Sequence, residues 1–215
     1  MTQGVEGQQE SPQRTRSLVK LAKEAHQCKN CGLWRHATQT VFGEGPARAR
    51  IMLVGEQPGN DEDLQGRPFV GPAGQLMDRL LVEAGIDRNK VYVTNAVKHF
   101  KWEPHGKRRI HKKPSRVEIA ACRSWLDAEI AALKPEVIVC LGATAARALL
   151  GRGFRVTVDH GRFIKSPLAS RVLATIHPSA ILRAPDEATR HELEKQFVSD
   201  LEKVARWKWR DSRRV

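Results

Sequence analysis

Residues Ile51 to Gly74 read IMLVGEQPGNDEDLQGRPFVGPAG. Four apolar residues run into the turn Gly55-Glu56-Gln57-Pro58-Gly59, and a loop rich in glycine, proline and acid follows. An apolar run of this length closed by turn residues is a buried strand, and the loop leaves it at its carboxyl end. Open α/β sheets keep their ligands at that end. Polar side chains at the mouth of a core strand are costly without partners, so Glu56 and Gln57 favour a functional loop over a merely structural turn.

Outward from this strand the chain alternates. Ser17–His26 carries Leu18, Leu21, Ala22 and Ala25 at helical spacing and leads into Cys28-x2-Cys31. Gly74–Ala84 is a helix with Leu76, Leu80 and Leu81 inward and Gly85 as its stop, and Val91–Val97 is the next strand. Residues 98–114 are basic and turn-forming, without periodicity. Ser115 and Glu118 form a capping box that opens a helix to Leu133. Val137–Leu141 (strand), Ala143–Leu150 (helix), Arg155–Val158 (short strand), Arg171–Ile176 (strand) and Glu187–Trp207 (helix) complete the series. Such alternation predicts an α/β chain: three layers, α/β/α, around a central, mostly parallel four-stranded sheet. One domain is expected over residues 16–208, between a disordered polar tail (1–15) and a basic end (209–215).

Parallel strands point one way, so Glu56, Gln57, Asn95, Gly142 and His177 are predicted to emerge along a single edge and share a cleft. Taken singly, Asn95 also fits a strand end satisfying its own backbone, and His177 before Pro178 also fits a turn.

The 215 residues include 37 Lys and Arg against 24 Asp and Glu, a formal net charge of +13. That balance favours a polyanionic partner, nucleic acid first and an acidic membrane surface second. No apolar run approaches the ~20 residues of a membrane span, and the first sixteen residues lack the apolar core of a secretion signal. A soluble, cytoplasmic chain is expected.

The four cysteines are Cys28, Cys31, Cys122 and Cys140. A disulfide framework does not suit a cytosolic chain, and a zinc ribbon would show two C-x2-C pairs. Cys122 shares a helical face with Ile119, Leu126, Ile130 and Leu133, and Cys140 lies in the apolar run VIVCLG. A four-cysteine metal or iron-sulfur site and two small core residues both remain open on spacing alone.

Lys98 to Arg116, KHFKWEPHGKRRIHKKPSR, holds eight Lys or Arg, three His and one acid. A positive run is commonly a solvated face, but this one hangs over the predicted cleft, where it would neutralise phosphates. His111 is flanked by cations, which lowers its pKa and keeps the ring neutral and nucleophilic near pH 7. Glu56 would orient it, as a carboxylate orients histidine in hydrolytic sites.

The motifs GEQPG (55–59), GRPFVGPAG (66–74), TNAVKHF (94–100), KRRIHKKPSR (107–116) and HPSAILR (177–183) together resemble the uracil-DNA glycosylase superfamily. More narrowly they resemble its UdgX branch, related to the family 4 iron-sulfur glycosylases; Gln57 and the KRRIH loop set that branch apart. The resemblance covers roughly residues 18–205.

It implies a [4Fe-4S] cluster on Cys28, Cys31, Cys122 and Cys140, structural because glycosidic cleavage transfers no electrons. It implies that Phe69 stacks on an extruded uracil, that Asn95 reads its Watson-Crick edge, and that His177 stabilises charge on uracil O2. Gly55 and Ser179 complete the base site. His111 would attack the deoxyribose C1′ and stay bonded, with Glu56 orienting it and Arg109 anchoring its loop. Gln57 would fix the loop or Glu56, and Asp63 the loop or the scissile sugar. Asn60 departs from the acid the family pattern calls for. Lys98, Lys107, Arg108, Lys112, Lys113 and Arg183 are expected on the DNA backbone. The partners implied are uracil-containing DNA, single-stranded by preference, and free uracil as product, with no membrane and a monomeric protein. Two other readings stand beside this one: an ordinary turnover glycosylase of family 4 type that leaves an abasic site, and a non-catalytic iron-sulfur DNA-binding module.

Overall fold

The computed structural model describes residues 17–207; the polar tail and the basic end fall outside the described residues. In chain order the elements are α1 (Leu18–Ala25), β1 (Ile51–Gly55), α2 (Asn60–Gln65), α3 (Pro72–Glu83), β2 (Val91–Asn95), β3 (Trp102–His105) and β4 (Arg108–His111). They continue with α4 (Arg116–Leu133), β5 (Val137–Leu141), α5 (Gly142–Leu150), α6 (Val156–Asp159), β6 (Ile164–Ser166), β7 (Ala169–Thr175), α7 (Pro178–Leu182) and α8 (Glu187–Ala205). None of these helices is long and apolar enough to cross a membrane.

The central sheet has five strands, not four, in the order β2-β1-β5-β7-β6. β1, β2, β5 and β7 are mutually parallel, and β6 is an antiparallel edge. The extra strand is three half-exposed residues, Ile164-Lys165-Ser166, with no apolar run to announce it. The expected strand at Arg155–Val158 is instead the single turn α6, preceded by Arg155, whose backbone N–H donates to the Asp159 carboxylate at 3.1 Å.

Alternation along the strands makes the three layers. Leu53, Val93, Val139 and Leu173 face α3 and α8, while Met52, Val54, Tyr92, Ile138, Cys140 and Val172 face α4 and α5. α1 packs on α4 where Leu21 and Ala25, together with the loop residue Phe42, meet Trp125, Ala128 and Ala132. Ser115 and Glu118 cap α4 reciprocally, as the sequence foretells.

Residues 98–114, expected to be irregular, contain the antiparallel hairpin β3-β4, paired from Trp102↔His111 to His105↔Arg108 around Gly106-Lys107. Gly106 takes φ +57°, which glycine adopts without steric cost in a two-residue hairpin turn. The hairpin had no period-2 apolar signal because neither face meets the core; its residues are half or fully exposed.

Lys98, expected on DNA, is buried. Its ammonium donates to Glu129 Oε2 at 2.5 Å, Thr94 Oγ1 at 2.7 Å and the Asn95 carbonyl at 2.7 Å. Tyr92 and Thr94 also donate to Glu129, so the buried pair has further hydrogen bonds and is not left bare. Lys98 therefore braces the end of β2 rather than contacting a phosphate.

Candidate active site

The order β2-β1-β5 puts a topological switch point between β1 and β5, and a cavity of about 610 Å³ opens there. Glu56, Gln57, Phe69, Asn95, His111, Gly142, Thr144, His177, Ser179 and Arg183 all line it. The single-edge prediction from the sequence is met.

The inner end is a flat slot. Gly55 lets β1 approach Asn95 and Phe69 closely: a Cβ there would fall 2.3 Å from Asn95 Oδ1 and 2.7 Å from Phe69 Cζ. Phe69 holds φ +58°, a left-handed conformation that costs a bulky residue energy and persists only where the surroundings enforce it. Gly74 provides the enforcement, since a Cβ at that position would lie 1.9 Å from the Phe69 carbonyl oxygen. The Phe69 and His177 rings stack at 6.1 Å across the slot.

Ser179 N–H donates to His177 Nδ1 at 3.1 Å, with Ser179 Oγ 2.8 Å from the same nitrogen. Nδ1 is thus the acceptor, and the ring proton sits on Nε2. Burial, helped by Arg183 and His111, pushes the His177 pKa down to about 4, so the ring is a neutral N–H donor at pH 7.

The outer end is built by the hairpin. Gln57 Nε2 lies 3.0 Å from His111 Nε2, 3.0 Å from the Lys112 carbonyl and 3.2 Å from the Lys101 carbonyl, while Gln57 Oε1 accepts from Lys101 N–H at 3.3 Å. That last contact fixes which end of the amide is nitrogen, so His111 Nε2 accepts and carries a lone pair. Two amide hydrogens serve three acceptors, which leaves the lone pair only partly engaged. Gln57 is therefore a clamp on the hairpin.

Glu56 Oε1 is 3.7 Å from His111 Nε2, beyond hydrogen-bond length, and Glu56 Oε2 accepts from the Thr144 hydroxyl. The His111 pKa is lowered, as expected, but for a different reason. Burial is the largest cause, Glu56 opposes it, and of the neighbouring cations only Arg183 contributes.

Arg109 is the anchor of the hairpin. Its guanidinium donates to Asp63 Oδ2 at 2.6 Å, Asn60 Oδ1 at 2.9 Å and Thr38 Oγ1 at 3.2 Å, and it lies over the Phe100 and Trp102 rings. Asp63 is fully buried and also accepts from Thr38 N–H, so it serves the loop and not the cavity. Asn60, the position where an acid was expected, supplies its amide oxygen to Arg109. Lys107, Arg108 and Lys112 are exposed on the hairpin, and Lys113 and Arg183 rim the cavity. Thr144 escaped the sequence reading; its place one residue beyond Ala143, after the β5 strand end, was the available signal.

Three cysteines gather where α1 meets α4. Trp125 Nε1–H donates to Cys28 Sγ at 3.1 Å, Lys98 N–H donates to Cys122 Sγ at 3.2 Å, and Cys31 packs in one small cluster with Cys122, Leu33 and Val97. Burial raises the Cys122 thiol to about 11, with Cys31 and Cys28 adding to the rise. Thiols that sit together with N–H donors aimed at sulfur fit a thiolate-ligated cluster, whose irons would offset that cost. Among the described residues no group of three or more His, Cys, Asp or Glu is spaced for a single metal ion; a cluster takes a wider set, one ligand to each iron.

Cys140 does not join them. It lies at 0% exposure on β5 among Met52, Val54, Leu126 and Ile138, and burial alone perturbs its thiol, raising it to about 12. It is a small core residue.

The family model for the uracil DNA glycosylase superfamily matches residues 42–202. A Type-4 uracil-DNA glycosylase of Thermotoga maritima is 39% identical over 185 residues, covering 86% of this chain and 91% of its own. One from Sulfurisphaera tokodaii is 38% identical over 189 residues (84% and 82%), and a Type-5 uracil-DNA glycosylase of Pyrobaculum aerophilum is 30% identical over 165 residues (69% and 69%). By the span of that match and the near full-length likeness to the Type-4 proteins, the chain belongs to the uracil-DNA glycosylase superfamily.

Proposed function

We propose that this chain excises uracil from DNA and then stays bonded, through His111 Nε2, to C1′ of the abasic deoxyribose, turning over once. Similarity to the Type-4 proteins supports the first half. The second half rests on one observation: at the cavity mouth, beside Glu56, His111 presents a nitrogen that accepts from Gln57 and carries no proton.

The geometry supports the following roles. Phe69 stacks on the extruded base in the slot behind Gly55, the Asn95 amide pairs with its edge, and the His177 Nε2–H donates to uracil O2. As the C1′–N1 bond breaks, its electron pair leaves with uracil, and the His177 donor stabilises that charge by ~2.7–4 kcal/mol, as for comparable oxyanion donors. Glu56 faces the positive charge left on the sugar. The His111 Nε2 lone pair then forms the new bond to C1′, the imidazole releases its Nδ1 proton, and uracil takes up one from solvent. The alkylated ring is neutral and a poor leaving group, so the adduct persists.

Lys107, Arg108, Lys112, Lys113 and Arg183 contact phosphates around the flipped nucleotide. Single-stranded DNA is preferred, since flipping costs least where the base is unpaired, and the protein acts as a monomer. Cys28, Cys31 and Cys122 hold a [4Fe-4S] cluster that pins the amino-terminal segment to α4 and takes no part in the bond changes.

The test is a denaturing gel of protein with uracil-containing single-stranded DNA. A protein-DNA band that survives boiling is expected; free abasic DNA alone would replace this reading with an ordinary turnover glycosylase, and intact DNA with a binding module.

Acidity should act on the second step. Burial holds the His111 pKa below the ordinary histidine value and that of His177 at about 4. A protonated His111 has no lone pair to form the bond, so the crosslinked yield should fall as the pH drops below neutrality, while uracil release, which needs only the His177 Nε2–H, persists. Both rings have depressed pKa values, so their contribution to stability is present above pH 6.5 and is lost as the pH falls toward 4. Time courses of the two products at pH 4–8 measure both yields.

Arg109→Lys keeps the charge and loses the fork that reaches Asp63, Asn60 and Thr38. Crosslinking should slow by roughly 10- to 100-fold, about 1.4–2.8 kcal/mol of barrier, with uracil release nearly unchanged. Single-turnover rates of each product measure the split.

A further inference from the structure

Lys113 and Thr144 line the active-site cavity and also a second hollow of about 510 Å³ that opens beside it. One wall of that hollow is the start of α4, with Arg116, Ile119 and Arg123, and the other is α5, with Arg147. Arg152 in turn is shared with a third hollow, of about 410 Å³, where the half-buried Phe154 and the exposed Arg162 stand. The three hollows therefore form one track, which leaves the cavity between α4 and α5 and passes the end of α5.

Charge along the track has one sign. Lys113, Arg116, Arg123, Arg147 and Arg152 line the second hollow, and no acid does. Arg123 serves the structure: its guanidinium pairs with Asp127 at 2.7 Å and donates to the Ala148 carbonyl, which ties α4 to α5. The other four, and Arg162 after them, are exposed, and among the described residues their side chains have no carboxylate or hydrogen-bond partner. In the third hollow the acid Asp159 is already engaged by the Arg155 N–H. Clustered cations without partners repel one another, and a polyanion laid along them removes that cost.

At the α2 side of the cavity the sign is reversed. Glu62 lines the wall there and Asp61 precedes it on the helix. A phosphate chain leaving the cavity is thus turned away from α2 and drawn between α4 and α5.

We propose that this track carries the DNA strand on one side of the flipped nucleotide, with phosphates on Arg116, Arg147 and Arg152 and a base against Phe154. The inference rests on the uracil-DNA reading above and adds to it the path of the flanking strand, beyond the phosphates held by the hairpin and Arg183. Guanidinium groups suit this use, since each can grip a phosphate with two parallel N–H donors. An aromatic face accepts any base, so neither contact reads sequence.

The test compares the full chain with the Arg116→Gln/Arg147→Gln/Arg152→Gln variant; all three side chains are exposed, so the fold is kept. The substrates are single-stranded oligonucleotides with one uracil, placed centrally, near the 5′ end or near the 3′ end. Single-turnover excision is measured across protein concentrations. On the central uracil the variant should need roughly 10- to 100-fold more protein for half-maximal rate. Its maximal rate should equal that of the wild type, because none of the three arginines lines the base site. One of the two end-placed substrates lacks the arm that fills the track, and on it the two proteins should coincide. In parallel, binding of the thymine-bearing version of the central oligonucleotide is followed against salt. Loss of the three phosphate contacts should make log K against log salt shallower by about 2 units. Equal half-saturation for both proteins on every substrate, or equal weakening on all of them, overturns the track, as does an unchanged salt slope. Binding without uracil release by the wild-type chain would instead overturn the excision reading, and the salt slope would still decide the track.

Discussion

His111→Ala is expected to abolish the proposed heat-stable protein-DNA band and to leave uracil excision in place, with abasic DNA accumulating beyond one equivalent of protein. The proposed base site, Phe69, Asn95 and His177, lies at the sheet edge and its loops, so removing a hairpin side chain should leave it standing. With the imidazole gone, Glu56 keeps its contact with Thr144 and faces a position a water can fill. Formation of the adduct should drop by ~10³-fold or more, in keeping with loss of a nucleophile that has no substitute. Gels and a uracil-release assay run on the same samples decide it. A band that still survives boiling assigns the bond to another side chain.

Gly55→Ala produces the other large loss, this time in excision. The new methyl would overlap Asn95 Oδ1 and Phe69 Cζ, at 2.3 and 2.7 Å. Neither can retreat cheaply: Asn95 ends a strand whose carbonyl is bonded to the buried Lys98, and Phe69 is wedged in a left-handed conformation against Gly74. The slot therefore narrows where the pyrimidine must lie. Displacements of this size at a reacting centre cost ~10²-fold or more in rate, and a fall of about 10²–10³ in single-turnover excision is expected. Overpacking should cost ~1–3 kcal/mol of stability, so melting curves must show a folded protein. Excision near the wild-type rate in a folded variant would remove Gly55, Asn95 and Phe69 from the base site.

Periodicity carried the fold where burial is strong. Residues 51–55, 91–95 and 137–141 are buried without interruption, and the strand ends brought Glu56, Asn95 and Gly142 to one edge. It failed where elements lie outside the core. β6 and the hairpin leave no apolar trace because nothing hydrophobic waits on either face. Charge misled at Lys98, since a lysine within a basic run reads as exposed until Glu129, thirty-one residues on, comes to meet it. At Cys140 it was the resemblance that called for a ligand; spacing alone left both readings open, for a thiol on a core strand and a thiol on an iron look alike in one dimension.

The β3-β4 hairpin is joined to the body by polar staples, Arg109 to Asp63 and Gln57 to Lys101 and Lys112, while both hydrophobic layers close without any residue from 102–111. Its histidine is thus an accessory mounted on a finished scaffold. Such a part is free to be lengthened, trimmed or re-tipped over generations while folding goes on undisturbed, which is how, on the function proposed above, repeated service would be traded for permanent attachment.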